Sequence, residues 1–188
     1  ASVSEMRHSI ELASELGAQK IVLHPSMVSG MGGFVMDTIK QYAFDFLAQM
    51  VSTAEQLNLT ICLENMFPRN LLGVEPDQFE EIFHLFPSLK LTLDTGHANI
   101  YDQGGQRLNG LVQRFGQRIG HLHFSDNNGL SDEHLPIGQG SINFTQLVRR
   151  LSALGYDDTL TLEVFDTDRQ ALINSREDIK SMFADARR

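Results

Sequence analysis

The sequence has a single cysteine, Cys62, among 188 residues, so no disulfide can form within the chain. Cys62 lies in an apolar stretch, which indicates a small buried side chain. The chain has no run of about 18 or more apolar residues and no signal-peptide pattern at Ala1. These absences predict a cytoplasmic protein without a membrane-spanning segment.

Basic residues are also scarce. The chain has 15 Lys and Arg residues against 24 Asp and Glu residues, which gives a net charge of −9, and no Lys/Arg run stands out. Proteins that bind nucleic acids or anionic membranes neutralise phosphates with basic patches, so this balance argues against both partners. Apolar residues make up 41% of the chain and charged residues 21%, which is typical of a globular protein. The length predicts a single domain, residues 1–188.

Apolar periodicity and turn signals divide the chain into a leading helix and five strand–helix units. The predicted strands cover residues 19–24, 59–64, 89–94, 119–124 and 159–164. The predicted helices cover residues 3–17, 37–57, 76–85, 107–115, 144–154 and 168–186. Ser4 is the predicted N-cap of the first helix, and Asn143 that of the fifth. A Gly- and Met-rich loop, residues 25–36, leaves two interpretations open: a mobile lid, or a loop without a role.

Strands that alternate with helices are typical of a parallel sheet with helical crossovers. In each predicted strand one face is apolar, and the other carries small or polar residues and ends in a potential metal ligand. An open sheet covered by helices on both sides would need two apolar faces, so a barrel fits better. Five strands cannot close a (β/α)8 TIM barrel. The pattern therefore predicts an α/β barrel that lacks about the first three β/α units, with strands four to eight present. The alternative is a smaller open α/β domain.

Four strand ends carry the candidate metal ligands Glu64, Asp94, His123 and Glu163. Three carboxylates and an imidazole at one edge repel and destabilise one another unless a cation lies between them. This set of oxygen and nitrogen donors suits Mn²⁺, Mg²⁺ or Co²⁺, and Zn²⁺ is also compatible. The residue types therefore predict one divalent metal ion. The alternative is a set of unrelated polar residues at strand ends.

In the segment Asp94-Thr95-Gly96-His97 a carboxylate and an imidazole follow one strand, three residues apart. Both side chains can reach one point above the sheet, with the glycine allowing the chain to turn. An Asp at a strand exit is also common as a cap of a turn or helix, so the motif alone leaves both interpretations open.

Together, these motifs resemble the xylose isomerase-like TIM-barrel superfamily. That superfamily includes sugar isomerases and epimerases of the tagatose 3-epimerase type and apurinic endonucleases of the endonuclease IV type. The resemblance is carried by Leu63-Glu64-Asn65, Asp94-Thr95-Gly96-His97, His121-Leu122-His123-Phe124-Ser125-Asp126, His134-Leu135-Pro136-Ile137-Gly138-Gln139-Gly140 and Leu162-Glu163. It covers nearly the whole chain, in the right order, and implies strands four to eight of the barrel.

The resemblance to the sugar enzymes implies that Glu64, Asp94, His123 and Glu163 bind one divalent metal ion. It also implies that Glu64 and Glu163 are the catalytic acid and base of an isomerase or epimerase. The substrate would be a small sugar or sugar phosphate, and the reaction a proton transfer through a metal-bound enediolate. His97 would hold a substrate oxygen, and His24 could do the same.

The resemblance to the endonucleases implies a different activity, zinc-dependent phosphodiester hydrolysis at abasic sites. It would require three Zn²⁺ ions, with further ligands drawn from His24, His97, Asp132 and His134. Asp132 and His134 could instead support the site or belong to a lid. The loops carry acidic rather than basic residues, which favours the sugar enzyme. A third interpretation is an inactive metal-binding fragment, and open strand edges would favour a homo-oligomer.

Overall fold

The computed structural model describes residues 2–25, 30–102 and 104–188, with the backbone alone for Met31. Within these residues the predicted alternation of strands and helices is confirmed. The strands are β1 (Lys20–Leu23), β2 (Thr60–Glu64), β3 (Lys90–Asp94), β4 (Ile119–Phe124) and β5 (Thr159–Leu162). The helices are α1 (Val3–Glu15), α2 (Met36–Gln56), α3 (Pro76–Leu85), α4 (Thr95–Asn99), α5 (Gln106–Phe115), α6 (Phe144–Ala153) and α7 (Arg169–Ala186). Short 3-10 helices cover Gly30–Val35 and Gly116–Arg118.

The chain forms two compact units, residues 1–91 and 92–188, and the division falls inside β3. In the first unit β1 pairs in parallel with β2, and Leu23 lies opposite Leu63. The core of this unit is apolar and fully buried; it includes Ile10, Leu47, Met50, Leu63, Phe79 and Ile82. Parallel pairing joined by a helix is the arrangement that the alternating pattern predicts.

In the second unit β4 pairs in parallel with β5, and His123 lies opposite Thr161. Helices α6 and α7 pack against each other. The buried apolar side chains of this unit include Leu111, Leu122, Phe124, Phe144, Val148 and Leu151. The alternate residues of β4 point the other way and carry its two histidines.

Local capping signals explain where several helices begin. Asn143 is the N-cap of α6, as predicted, and its side chain accepts a hydrogen bond from the Gln146 N–H at 3.0 Å. The predicted cap of α1 is wrong: Ser2, not Ser4, caps this helix. The Ser2 Oγ accepts from the Glu5 N–H at 3.2 Å, and the Glu5 carboxylate accepts from the Ser2 N–H at 2.6 Å. These two reciprocal hydrogen bonds give the N–H groups of Ser2 and Glu5 an acceptor, which a helix beginning at Ser4 would not provide.

Four predicted boundaries differ from the structure. The predicted loop at 98–106 begins with the last residues of α4, because the Asp94 side chain caps a helical turn directly after β3. Strand β1 ends at Leu23 and β5 at Leu162, so His24 and Glu163 follow their strands rather than close them. The predicted loop at 25–36 contains a 3-10 helix, and its residues 26–29 lie outside the described residues. The lid therefore stays a prediction.

Gly73 offers a test of close packing in the first unit. Its φ is +72°, and a Cβ atom at this position would lie 2.5 Å from Pro25 Cγ. We expect Gly73→Ala to lower the free energy of unfolding by about 2–4 kcal/mol, because left-handed strain and a steric clash combine. Gly17→Ala is the matched control, since Gly17 has a φ of +77° but no neighbour within 4 Å. Urea denaturation measures both variants, and equal losses would contradict the role of the clash.

Candidate metal centre

Three of the predicted ligands lie together in the second unit. Asp94 ends β3, His123 lies near the end of β4, and Glu163 directly follows β5. The Nδ1 atom of His123 lies 3.7 Å from Oδ2 of Asp94 and 3.1 Å from Oε1 of Glu163. One ligand atom from each residue lies within 4.8 Å of the other two. The structure therefore gathers two carboxylates and one imidazole at a single point.

The chemistry of this trio fits a divalent cation. Asp94 and His123 are buried, whereas the Glu163 side chain is 26% exposed, which leaves one side of the cluster open. Two oxygen donors and one nitrogen donor suit first-row divalent ions, and three protein ligands leave positions for water or substrate. Asp94 serves the backbone as well, because its Oδ1 accepts from the His97 N–H at 2.7 Å. The structure therefore shows the capping interpretation of the Asp94 motif, and the other oxygen, Oδ2, lies 3.7 Å from Nδ1 of His123. The role of Asp94 as a metal ligand stays a prediction.

Gly96 in the same motif has a different role from the one that the sequence suggests. It lies within α4 rather than at a turn. A Cβ atom at this position would lie 2.5 Å from the Ser125 Oγ. Gly96 therefore allows α4 to approach the residues that follow β4, which keeps Asp94 and His97 close to the loop at 125–141.

A second polar cluster in this unit is centred on Asp132. Its Oδ2 lies 3.4 Å from Nε2 of His97 and 3.1 Å from Nε2 of His134. Burial raises the pKa of Asp132, but hydrogen bonds and charge from His97 and His134 outweigh this effect and lower the pKa overall. The second ring nitrogen of His134, Nδ1, lies 2.9 Å from the carbonyl oxygen of Glu163. A carbonyl oxygen can only accept a hydrogen bond, so Nδ1 carries a proton. The Asp132 cluster is thus connected to the backbone of Glu163.

Two further predicted residues lie in the first unit. Glu64 is the last residue of β2, and its side chain is 2% exposed. The Nε2 atom of His24, which follows β1, lies 3.3 Å from Oε2 of Glu64. His24 is largely exposed, so it orients a buried carboxylate from the solvent side. The structure therefore brings His24 and Glu64 together, as their places at neighbouring strand ends indicate.

Asp126 has a structural role that sequence reasoning missed. It is fully buried, and its carboxylate accepts from the backbone N–H groups of Gly138, Gly140 and Ile142 at 3.0, 2.9 and 3.2 Å. Oδ1 also accepts from the Asn127 N–H at 2.9 Å. The glycine spacing was the available signal, because a Cβ atom at Gly140 would collide with this carboxylate and with backbone. The carboxylate of Asp126 therefore holds the loop in its fold.

The family of the chain follows from comparison with known sequences. The family model described as xylose isomerase-like TIM barrel matches residues 1–184, and the chain belongs to this family. The predicted fold class, an α/β TIM barrel, is confirmed. In the part of the chain that the structure describes, no helix is long and apolar enough to cross a bilayer.

Among the similar proteins are two uncharacterized proteins of Methanocaldococcus jannaschii. One is 36% identical over 165 residues, which cover 86% of this chain and 56% of the relative. The other is 33% identical over 159 residues, which cover 81% of this chain and 58% of the relative. The chain thus spans somewhat more than half the length of these relatives.

Solved structures show the same likeness. A D-tagatose 3-epimerase-like protein is 31% identical with a TM-score of 0.83, and the match covers 98% of this chain and 69% of that one. An L-ribulose 3-epimerase is 20% identical with a TM-score of 0.74, covering 98% of this chain and 68% of that one. The IolI protein, whose structure has a bound zinc atom, is 24% identical with a TM-score of 0.73 and the same two coverages. The latter two likenesses concern the fold alone.

Proposed function

We propose that this protein is a divalent-metal-dependent isomerase or epimerase of a small sugar or sugar phosphate. The observation that carries the proposal is the convergence of Asp94, His123 and Glu163, whose ligand atoms lie within 4.8 Å of one another. Membership of the xylose isomerase-like family and 31% identity to a D-tagatose 3-epimerase-like protein support the same class of reaction. Enzymes of this fold carry their active sites at the carboxyl ends of the strands, where these three residues lie.

Glu64 is the fourth proposed ligand. It is buried and ends β2, and consecutive strands of a barrel of this family end around one mouth. A set of three carboxylates and one imidazole suits Mn²⁺, Mg²⁺, Co²⁺ or Zn²⁺. The zinc atom in the IolI structure supports zinc as one candidate. We propose a single divalent ion, with the metal to be identified by experiment.

A bound divalent ion supplies Lewis-acid polarisation of the sugar carbonyl and hydroxyl, which makes the neighbouring C–H proton easier to remove. The chain's own carboxylates move the proton: one of Glu64 and Glu163 takes it from carbon, and the other returns a proton to the same or the adjacent carbon. The partly exposed Glu163 faces the open side of the cluster, where a sugar can approach. His97 is proposed to hold a substrate oxygen, and His24 keeps the Glu64 carboxylate oriented through their 3.3 Å contact.

Metal binding is tested most directly by calorimetry on protein stripped with a chelator. We expect one Mn²⁺ per chain, and we expect His123→Gln to weaken its binding by about 100-fold, because a buried ligand is lost. His84→Gln is the matched control, since His84 lies exposed on α3. Unchanged affinity in His123→Gln would show that the three residues do not form the metal site.

A second candidate function is favoured by the Asp132 cluster. Asp132 Oδ2 lies between the imidazoles of His97 and His134, and its Oδ1 has no hydrogen-bond partner within the described residues. These are further potential ligands, as a three-zinc endonuclease of abasic DNA would require. An assay of the Mn²⁺-, Co²⁺- and Zn²⁺-loaded protein on a panel of ketoses and on abasic-site DNA separates the two functions. Cleavage of DNA without sugar turnover would overturn the sugar enzyme, and inactivity on both would favour a metal-binding fragment.

A further inference from the structure

We propose that His121 is a positioning residue that holds Glu163 at the candidate metal centre. The inference rests on the proposed function of that centre and assigns to it a residue that touches neither metal nor substrate. His121 lies on β4, two residues before His123, and on the same side of the strand.

Both ring nitrogens of His121 reach the neighbouring strand. Nδ1 lies 2.7 Å from the Thr159 Oγ1, and Nε2 lies 3.0 Å from the Thr161 Oγ1. A hydroxyl can donate or accept, so a neutral imidazole satisfies both contacts in either tautomer. In the strand register His121 lies opposite Thr159 and His123 opposite Thr161. His121 therefore binds two successive side chains on one face of β5 and ties that face to β4.

The next residue on the same face of β5 is Glu163. Strand β5 has four residues and ends at Leu162, so Glu163 lies just beyond it and depends on nearby contacts for its position. Its backbone N–H donates to the Phe124 carbonyl at 3.0 Å, and its own carbonyl accepts from His134. These bonds fix the backbone, whereas the His121–threonine bonds fix the side-chain row that leads to the carboxylate. Glu163 continues that row, and its Oε1 lies 3.1 Å from Nδ1 of His123.

His121 also supports the ligand on its own strand. Its ring meets the ring of His123 edge to face, with centroids 5.1 Å apart and planes at 87°. This contact restricts rotation of the His123 ring, whose Nδ1 faces Asp94 and Glu163. One residue thus restrains two of the three gathered ligands. Such outer partners commonly change metal affinity by about 10–100-fold when they are removed.

The test compares His121→Phe, which keeps a ring beside His123, with the Thr159→Val/Thr161→Val double variant, which removes only the two hydroxyls. We expect each to weaken Mn²⁺ binding by about 10-fold, and the triple variant to weaken it no further, because all remove the same contacts. Tyr156→Phe is the matched control. It removes a hydrogen bond from the Tyr156 hydroxyl to the Thr159 carbonyl, at 2.6 Å, without touching the His121 pair. We expect its Mn²⁺ affinity to equal that of the unsubstituted protein.

Crystal structures of the metal-free protein provide a second readout. We expect the Glu163 carboxylate to leave His123 Nδ1 in His121→Phe and to stay there in Tyr156→Phe. A folded His121→Phe protein with unchanged Glu163 geometry and unchanged Mn²⁺ affinity would overturn the positioning role. If the unsubstituted protein binds Mn²⁺ but converts no sugar, the proposed function fails while the positioning role stands on affinity and geometry. If it binds no metal, the role is decided by the Glu163 geometry alone.

Discussion

Glu163→Gln is expected to lower kcat on the active sugar by at least about 10³-fold at saturating metal. Glutamine keeps the shape of the side chain and an oxygen near His123, but its amide cannot accept or return a proton. Activity on the ketose panel, measured with the metal content of each sample, separates this loss from a loss of the ion. The Glu163 side chain is partly exposed, so the substitution leaves the buried core of the second unit intact.

Glu177→Gln is the matched control for this experiment. Glu177 is an exposed residue of α7 that pairs with Arg176 and Lys180 on the surface. We expect it to retain full activity. Retained turnover in Glu163→Gln, with metal bound, would remove Glu163 from the acid–base pair and would leave it as a ligand at most.

Asp126→Ala is expected to lower the free energy of unfolding by about 3–5 kcal/mol. The carboxylate accepts from four backbone N–H groups at 2.9–3.2 Å, and those of Asn127 and Ile142 are buried. Alanine would leave these donors without an acceptor, and hydrogen bonds to a charged group are stronger than neutral ones. Urea denaturation followed by circular dichroism measures the loss.

Two further variants test whether the loss of stability comes from the carboxylate oxygens of Asp126. Asp126→Asn keeps one acceptor oxygen and replaces the other with an amide, so we expect an intermediate loss. Asp157→Ala removes an exposed carboxylate that pairs with Arg187 on the surface, and we expect a change below about 0.5 kcal/mol. A loss of less than about 1 kcal/mol in Asp126→Ala would show that the loop at 125–141 does not depend on this carboxylate.

The position of Asp126 also changes the meaning of the acidic loops. Read from the sequence, Asp102, Asp126, Asp132 and Glu133 give the loops a negative charge that disfavours a phosphate backbone. In the structure Asp126 is bound by backbone amides, and Asp102 accepts from the Gln106 and Arg107 N–H groups at the start of α5. Asp132 faces two imidazoles. These carboxylates therefore have structural partners as well as charge, and the assay on ketoses and abasic-site DNA decides between the two functions.

The order of the elements and the residues at the strand ends can be read from the amino-acid pattern alone. Alternation along strands, Asn143 as a cap and the motif at Asp94 are local signals, and local physics sets them within a few residues. The exact start of a helix is harder to predict where two nearby residues can both act as caps, as Ser2 and Ser4 can at the start of α1. His24 and Glu64 are also visible in the sequence as polar residues at the ends of consecutive strands.

Which of these side chains meet, and in what role, depends on how distant segments fold against one another. The loop at 125–141 folds back so that Asp126 pairs with Leu135 in an antiparallel bridge and Asp132 reaches His97 and His134. The spacing of Gly138 and Gly140 is the one local signal of that return, and the return itself depends on buried amides that must find an acceptor. Strand pairing likewise placed His121 against Thr159 and Thr161 and brought His123 to Glu163. Residues 40 positions apart in the chain meet there because parallel strands align their carboxyl ends, which is a property of the sheet and not of either segment.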